Sequence, residues 1–216
     1  MRAPDGSPVE VFRRLPAGNA PALIHRRAGN GVDVVELGCG AGRLCAALSD
    51  LGHAVTGVDA SAEMLACVPA GIVTELGDIV DIDLGRTFGC VVLASYLVNH
   101  PTRAGEFLAT CRRLVDPDGT VMVQRYDPDW ARAAVADEVT SGDVRIAVRD
   151  FSQPGDGLRF AVTVTYSVDD RSWDQRIDAV ILDDDALGAT ASVAGLRVES
   201  WLDEYRTWAV LRPTST

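Results

Sequence analysis

The sequence predicts an α/β protein: a doubly wound, mostly parallel seven-stranded sheet, interrupted between its fifth and sixth strands by a three-stranded antiparallel meander. Three observations predict it. Short β-branched runs alternate with amphipathic stretches over residues 31–125, the grammar of strands joined by crossover helices. Beyond Tyr126 the apolar residues switch to strict alternation with short turns between runs, the grammar of hairpins. The chain then closes with one helical stretch and two further apolar runs.

Residues 32–37 read as a buried first strand, residues 38–42 as a glycine turn, and Leu44, Leu48 and Leu51 recur at helical spacing. Residues 53–59 give the second strand. Ser61 can cap a helix bearing Met64, Leu65 and Val68, and residues 71–76 form a third strand of weaker pattern. Residues 89–95 are the fourth. Thr102 can cap a helix with the stripe Phe107, Leu108, Cys111, Leu114 and Val115, ended by a turn at residues 116–119 before the fifth strand.

The meander strands are residues 143–151, 158–168 and 172–182, with turns at residues 153–157 and 169–171. In the middle strand Phe160, Val162, Val164, Tyr166 and Val168 share one face and Ala161, Thr163, Thr165 and Ser167 the other. A helix over residues 184–194, stopped by Gly195, leads into the closing strands 196–202 and 206–212. Its Asp183-Asp184-Asp185 run charges a helix N-terminus favourably. The organisation is one domain: residues 1–30 an N-terminal helical cap, 31–127 the parallel core, 140–182 the antiparallel insertion, and 183–216 the closing helix and strands.

With 216 residues, 47% of them hydrophobic, the chain can bury a sizeable core. Lys plus Arg number 20 against 31 Asp plus Glu, a net charge of −11 that repels polyphosphate, so nucleic acid is not an expected partner. No stretch approaches the ~20 apolar residues of a membrane span, and the first residues carry no signal-peptide pattern, so no membrane partner and a cytoplasmic location are expected. Cys39, Cys45, Cys67, Cys90 and Cys111 contain no C-x-x-C pair and read as reduced thiols. His25, His53 and His100 have no ligand spacing, so no metal is expected. The edges of the meander suggest a homodimer.

The segment Glu36-Leu37-Gly38-Cys39-Gly40-Ala41-Gly42 ends the first strand and opens a helix, the carboxyl edge where open α/β sheets bind ligands. A P-loop needs Gly-Lys-Ser/Thr and the dinucleotide fingerprint G-x-G-x-x-G; here the spacing is G-x-G-x-G after an acidic residue. Glu36 and its acidic surroundings oppose a pyrophosphate and suit a ligand with ammonium and sulfonium centres, as in S-adenosylmethionine. Asp59 ends the second strand, where a carboxylate can accept both ribose hydroxyls. Asp78, after the third strand, can accept from an adenine amino group.

Taken in order, VVELGCGAGRL, VTGVDAS, ELGDI and GCVVLAS at successive strand ends resemble the class I S-adenosylmethionine-dependent methyltransferase family, over roughly residues 9–211. The resemblance implies a Rossmann-like methyltransferase fold and S-adenosylmethionine as cofactor. It carries Gly38, Gly40 and Gly42, with Cys39 among them, over as cofactor-loop residues. It carries Asp59 with Ala60 over for the ribose, Asp78 with Ile79 for the adenine, Met64 for the adenine face, and Ala94-Ser95 for the methionine side. Family members that methylate small metabolites, some sugar-amine N-methyltransferases among them, also insert a meander here, as a pocket wall or a dimer contact. The tetrapeptide that marks base and glutamine-amide methylation is absent, its place taken by residues 95–101. The expected reaction is transfer of a methyl group to a nitrogen or oxygen of a small metabolite of the secondary-metabolism type.

Several residues at this edge admit two roles. Glu36 can contact the cofactor or hold the turn through loop amides. His100 can act as a base toward a hydroxyl acceptor or be a loop residue before a proline, with Tyr96 and Asn99 as orienting groups. Tyr126 and Arg125 follow the fifth strand and either face the substrate or pack on the meander; His100, Tyr96 and Tyr126 are the catalytic candidates, Asn99 and Arg125 the substrate-binding ones. Trp173 and Trp201 read as core anchors. An NAD(P)-dependent oxidoreductase shares the strand, glycine turn and strand-end acid, and a non-catalytic S-adenosylmethionine-binding module would share the whole site.

Overall fold

The computed structural model describes residues 1–133, 136–153, 155 and 157–214. In chain order they form α1 (Val9–Phe12), α2 (Ala20–Ala28), β1 (Val34–Leu37), α3 (Arg43–Asp50), β2 (Val55–Asp59), α4 (Ala62–Leu65), β3 (Val73–Leu76) and β4 (Phe88–Leu93). There follow α5 (Ala104–Leu114), β5 (Val115–Gln124), α6 (Pro128–Ala133), β6 (Asp137–Ser141), β7 (Val144–Ser152), β8 (Arg159–Val168), β9 (Arg171–Val180), α7 (Asp184–Val193), β10 (Leu196–Trp201) and β11 (Trp208–Pro213).

The main sheet has seven strands in the order β10-β11-β5-β4-β1-β2-β3. β1, β2, β3, β4 and β5 run parallel; β11 closes onto β5 antiparallel, and β10 pairs antiparallel with β11, so it again runs in the direction of β5. Central strands read as continuous apolar runs because both faces are covered. On one face Val35, Leu37, Val91, Leu93, Val121 and Val123 pack with Phe107, Leu108 and Cys111 of α5 and Leu187 of α7. On the other, Val34, Val55, Cys90, Val92 and Met122 pack with Ile24 of α2 and Leu44, Cys45 and Leu48 of α3.

The insertion after β5 is a separate antiparallel sheet, β6-β7-β8-β9, of four strands and not three. The additional strand, β6, is an edge whose residues are almost all exposed and carry Asp137 and Glu138, so it lacks the apolar alternation that marks its neighbours. The inner face is the predicted one: Phe160, Val162, Val164, Tyr166 and Val168 pack against Val11 and Leu15 near α1 and Ala131 of α6. The predicted turn at residues 153–157 lies partly outside the described residues.

Two local expectations change. The turn at residues 116–119 is absorbed into β5 as an irregularity, the register slipping between the Phe88–Val115 and Cys90–Thr120 pairs. Thr102 does not cap α5; instead the His100 ring nitrogen Nδ1 accepts from the N–H groups of Thr102 (3.3 Å) and Arg103 (3.2 Å). Ser61 does cap α4, accepting from Met64 N–H at 3.2 Å. All five cysteines are free thiols, and no described helix is long and apolar enough to cross a membrane.

The N-terminal segment holds two short helices, α2 packing on the main sheet through Ile24, and its first residues also act as a strap. Val9 packs with Ala41 of the glycine turn and Met64 of α4, while Arg2 donates to the Asp174 carbonyl of β9 (2.8 Å). Gln175 of β9 donates to the Ser7 hydroxyl (3.0 Å). The strap thus joins the ligand edge of the main sheet to the inserted one.

Candidate active site

The site is built where β1, β2, β4 and β5 end. Gly38, Gly40 and Gly42 all take left-handed conformations, with φ of +73°, +54° and +76°, which side chains rarely adopt. Space imposes a second constraint, since a Cβ at Gly38 would overlap Leu97 and one at Gly42 would lie 2.9 Å from Val68.

Asp59 ties this turn to the end of β2. Its Oδ2 accepts from Gly40 N–H at 2.7 Å and its Oδ1 from Ser61 N–H at 2.8 Å. Burial raises its pKa, opposed by these amides. One central amide of the loop is therefore already satisfied by a carboxylate, so the turn offers a diphosphate a negative charge where a dinucleotide site offers N–H groups. The outer lone pairs of Asp59 remain for hydroxyl donors, as a ribose requires. This donor set fits a nucleoside bearing a cationic chain and does not fit a pyrophosphate.

Glu36 is buried beneath the turn, where its Oε2 accepts from the Cys45 thiol at 2.9 Å. Burial pushes its carboxyl up to about 7, with the Cys45 bond and Arg43 acting against the rise. It supports the turn from below, and Cys39 lies beside Cys45 over Gly57. Ala60 follows Asp59 on the surface, and Met64 is buried next to Ala41. Asp78 is engaged by Arg103, which donates to its two oxygens at 2.9 and 2.6 Å; the guanidinium holds its carboxyl below the usual range. Ile79, next in sequence, is buried close to Gly38.

Past β4, Ala94 is buried, and Ser95 and Tyr96 take left-handed φ values of 54° and 62°, an unusual pair for non-glycine residues. Ser95 N–H donates to Gln124 Oε1 (2.9 Å), and its hydroxyl accepts from Arg43 (3.4 Å). The turn throws the Tyr96 ring onto that of Tyr126, with centroids 4.1 Å apart and planes 8° from parallel. Trp130 continues the stack at 5.7 Å.

The remaining predicted residues are engaged elsewhere. Asn99 spends both ends of its amide on backbone, donating to Val180 O (2.8 Å) and accepting from Tyr126 N–H (3.0 Å). Arg125 is 1% exposed and donates to Arg206 O (2.9 Å), Leu182 O (2.7 Å) and Asp184 Oδ1 (2.5 Å), with Trp201 under its guanidinium. Both residues clamp the insertion and the closing strands to β5. His100 stands at this edge with Nδ1 accepting two amides, which places its ring proton on Nε2; burial and Arg103 lower its pKa. His25 and His53 bond to each other at 3.0 Å, away from this edge. Sequence reading missed Arg43 and Tyr166; Tyr166 was legible only as a core position of its strand, and Arg43 as the first residue after the glycine turn.

Residues 35–123 match the family model described as a methyltransferase domain. Among curated proteins, a ubiquinone biosynthesis O-methyltransferase from Bradyrhizobium sp. (strain ORS 278) is 34% identical over 116 residues, half of this chain and 45% of that protein. The chain thus spans under half the length of the curated relatives it matches. Among solved structures, Streptomyces venezuelae DesVI superposes with a TM-score of 0.70 at 21% identity, covering 94% of this chain and 93% of that one. CalS10, an amino pentose methyltransferase from Micromonospora echinaspora solved with S-adenosylmethionine bound, gives 0.67 at 20% identity over 92% and 90%. At these identities the structures establish the shared fold.

Proposed function

We propose, for a chain whose core is a class I S-adenosylmethionine-dependent methyltransferase domain, that it transfers a methyl group from S-adenosylmethionine to a nitrogen or oxygen of a small-molecule metabolite. The observation that carries this reading is the Asp59 carboxylate bonded to Gly40 N–H at 2.7 Å. It leaves an acidic, hydroxyl-accepting cradle where an NAD(P) enzyme needs free amides. The curated relatives act in ubiquinone biosynthesis and CalS10 on an amino pentose, which supports a small acceptor without choosing between oxygen and nitrogen.

When bound, S-adenosylmethionine supplies an electrophilic methyl group on a sulfonium. Asp59 would hold the ribose, with Ala60 beside it and Met64 along the adenine. Ile79 would flank the adenine, and Gly38, Cys39, Gly40, Gly42, Ala94 and Ser95 would line the amino-acid portion. The remaining work of the chain is alignment and exclusion of water, which can supply several kcal/mol without covalent catalysis. The stacked rings of Tyr96, Tyr126 and Trp130 and the strap carrying Val9 would wall that space. The negative charge opposes nucleic acid as acceptor, the free thiols fit a reducing cytoplasm, and exposed β6 offers an edge for a homodimer.

Calorimetric titration with S-adenosylmethionine, S-adenosylhomocysteine and NAD, followed by S-adenosylhomocysteine release across a panel of small amines and alcohols, tests the proposal. Binding of the first two with turnover on a small acceptor is the expected result. Binding of NAD alone overturns it, and cofactor binding with turnover only on protein or RNA overturns its substrate class.

A further inference from the structure

Three tyrosines from three parts of the chain come within electrostatic reach of one another, two of them stacked and two of them within reach of Arg43, the residue after the glycine turn. Tyr96 follows β4, Tyr126 follows β5, and Tyr166 lies on the inner face of β8 in the inserted sheet. Tyr96 and Tyr126 are stacked. Tyr166 is close enough to Tyr96, Asp5 and Arg43 for their charges to act on its hydroxyl, and Tyr126 feels both other phenols. Among the described residues none of the three hydroxyls has a hydrogen-bond partner, and the one sealed side-chain oxygen or nitrogen without a partner is Gln175 Oε1. The Tyr126 and Tyr166 hydroxyls, on largely buried rings, therefore open onto water-accessible space. Hydroxyls so placed are open to water or to the hydrogen-bonding groups of a ligand.

Arg43 stands over the same space. It donates to Pro16 O (3.0 Å) and Ser95 Oγ (3.4 Å) and has no carboxylate partner among the described residues.

We propose that the Tyr96, Tyr126 and Tyr166 hydroxyls form the acceptor subsite, and that it takes a small primary or secondary amine in its uncharged form. This rests on the methyl-transfer reading above. The N–H groups of an amine donate to phenol oxygens and leave the nitrogen lone pair free, whereas an alcohol must first lose a proton to a base. The groups at hand are unsuited to that task. Burial pushes the Tyr166 hydroxyl up to about 12 and raises Tyr96 and Tyr126 as well, so all three stay protonated. His100 Nδ1 is held by two amides, Asp78 by Arg103, and the Asp5 carboxylate by the amide and hydroxyl of Ser7. The Arg43 cation disfavours an ammonium beside it, which keeps the lone pair available. In the transfer that lone pair becomes the new N–C bond, the electron pair of the broken S–C bond stays on sulfur, and the nitrogen sheds one proton to water.

The test compares benzylamine with benzyl alcohol, read by calorimetric titration with S-adenosylhomocysteine present, near pH 9 where an alkylamine is partly uncharged. The amine should bind about tenfold tighter than the alcohol or better, a factor set by one or two hydrogen bonds. Tyr166→Phe, which keeps the ring, should erase that preference without changing S-adenosylhomocysteine affinity. Equal binding of the two probes, or a preference untouched in Tyr166→Phe, overturns the proposal. Should Tyr166→Phe fail to fold, Tyr126→Phe carries the same expectation. If S-adenosylhomocysteine does not bind, the methyl-transfer reading fails, while the amine preference measured without it still decides the subsite.

Discussion

Replacing Asp59 separates two jobs that its carboxylate can perform, holding the glycine turn and holding a ribose. The side chain accepts two amide hydrogen bonds, from Gly40 at 2.7 Å and Ser61 at 2.8 Å. Hydrogen bonds to a charged group contribute about 1.5–3 kcal/mol each, less where water can replace the partner. Because Asp59 is only partly buried, Asp59→Ala should destabilise the fold by about 2 kcal/mol in urea titration. Loss of two further bonds to a ribose diol would remove about 3 kcal/mol of binding, roughly a hundredfold in Kd for S-adenosylmethionine by calorimetry. Asp59→Asn keeps one accepting oxygen and turns an NH2 toward an N–H donor, so it should retain about half of each effect. A folded Asp59→Ala protein that binds S-adenosylhomocysteine within about threefold of wild type would refute the ribose role. A loss of stability with affinity intact would leave Asp59 as a tie within the turn.

Glu36 gives a pH dependence whose sign is fixed by its raised pKa. Its carboxyl ionises near 7 in the folded chain against an ordinary value of 4.5, so the native state binds the extra proton between those values and stability falls as pH rises through them, by about 3 kcal/mol in all. Glu36→Gln should flatten that fall in urea titrations between about pH 5 and pH 8 while keeping an acceptor for Cys45; an unchanged slope would assign it to other groups. Arg125→Ala should cost about 3–5 kcal/mol, because Asp184 and two carbonyls lose a buried cation, and Arg125→Lys should not rescue it; a thermal midpoint near wild type would return Arg125 to the substrate. The half-exposed Arg103–Asp78 pair is worth under about 1 kcal/mol. Arg103→Ala should therefore barely move stability and should leave S-adenosylmethionine affinity equal or tighter, as Asp78 is freed; weaker binding would place Arg103 in the cofactor site.

The parallel core was legible because both faces of its strands are buried, which writes continuous β-branched runs between amphipathic helices, and because the turn at Gly38, Gly40 and Gly42 needs left-handed backbone that glycine alone adopts without strain. β6 was not legible, since an exposed edge strand has no buried face to pattern. Side chains with two available partners were equally hidden. Asp78 matches a nucleoside-binding position in register, yet Arg103, 25 residues away, reaches it first. Asn99 and Arg125 lie at the right edge, but the carbonyls that capture them come from Val180, Leu182 and Arg206, contacts no local pattern announces. Tyr166 obeys the strand alternation perfectly, and that alternation says nothing about a hydroxyl at the tip of a core ring.

The strap has a consequence for the order in which the molecule is completed. Its anchors on β9 lie 168 residues or more from Ser7 and Arg2, among the most distant pairings in the chain. Such contacts carry a large loop-closure cost and form late. During synthesis the glycine turn and Asp59 emerge long before β9 exists to receive Arg2 and Ser7, so the nascent chain would present its ligand cradle uncovered. Only when the inserted sheet has left the ribosome can residues 2–7 fasten onto β9, so the strap is finished long after the turn and the strand-end acid that it covers.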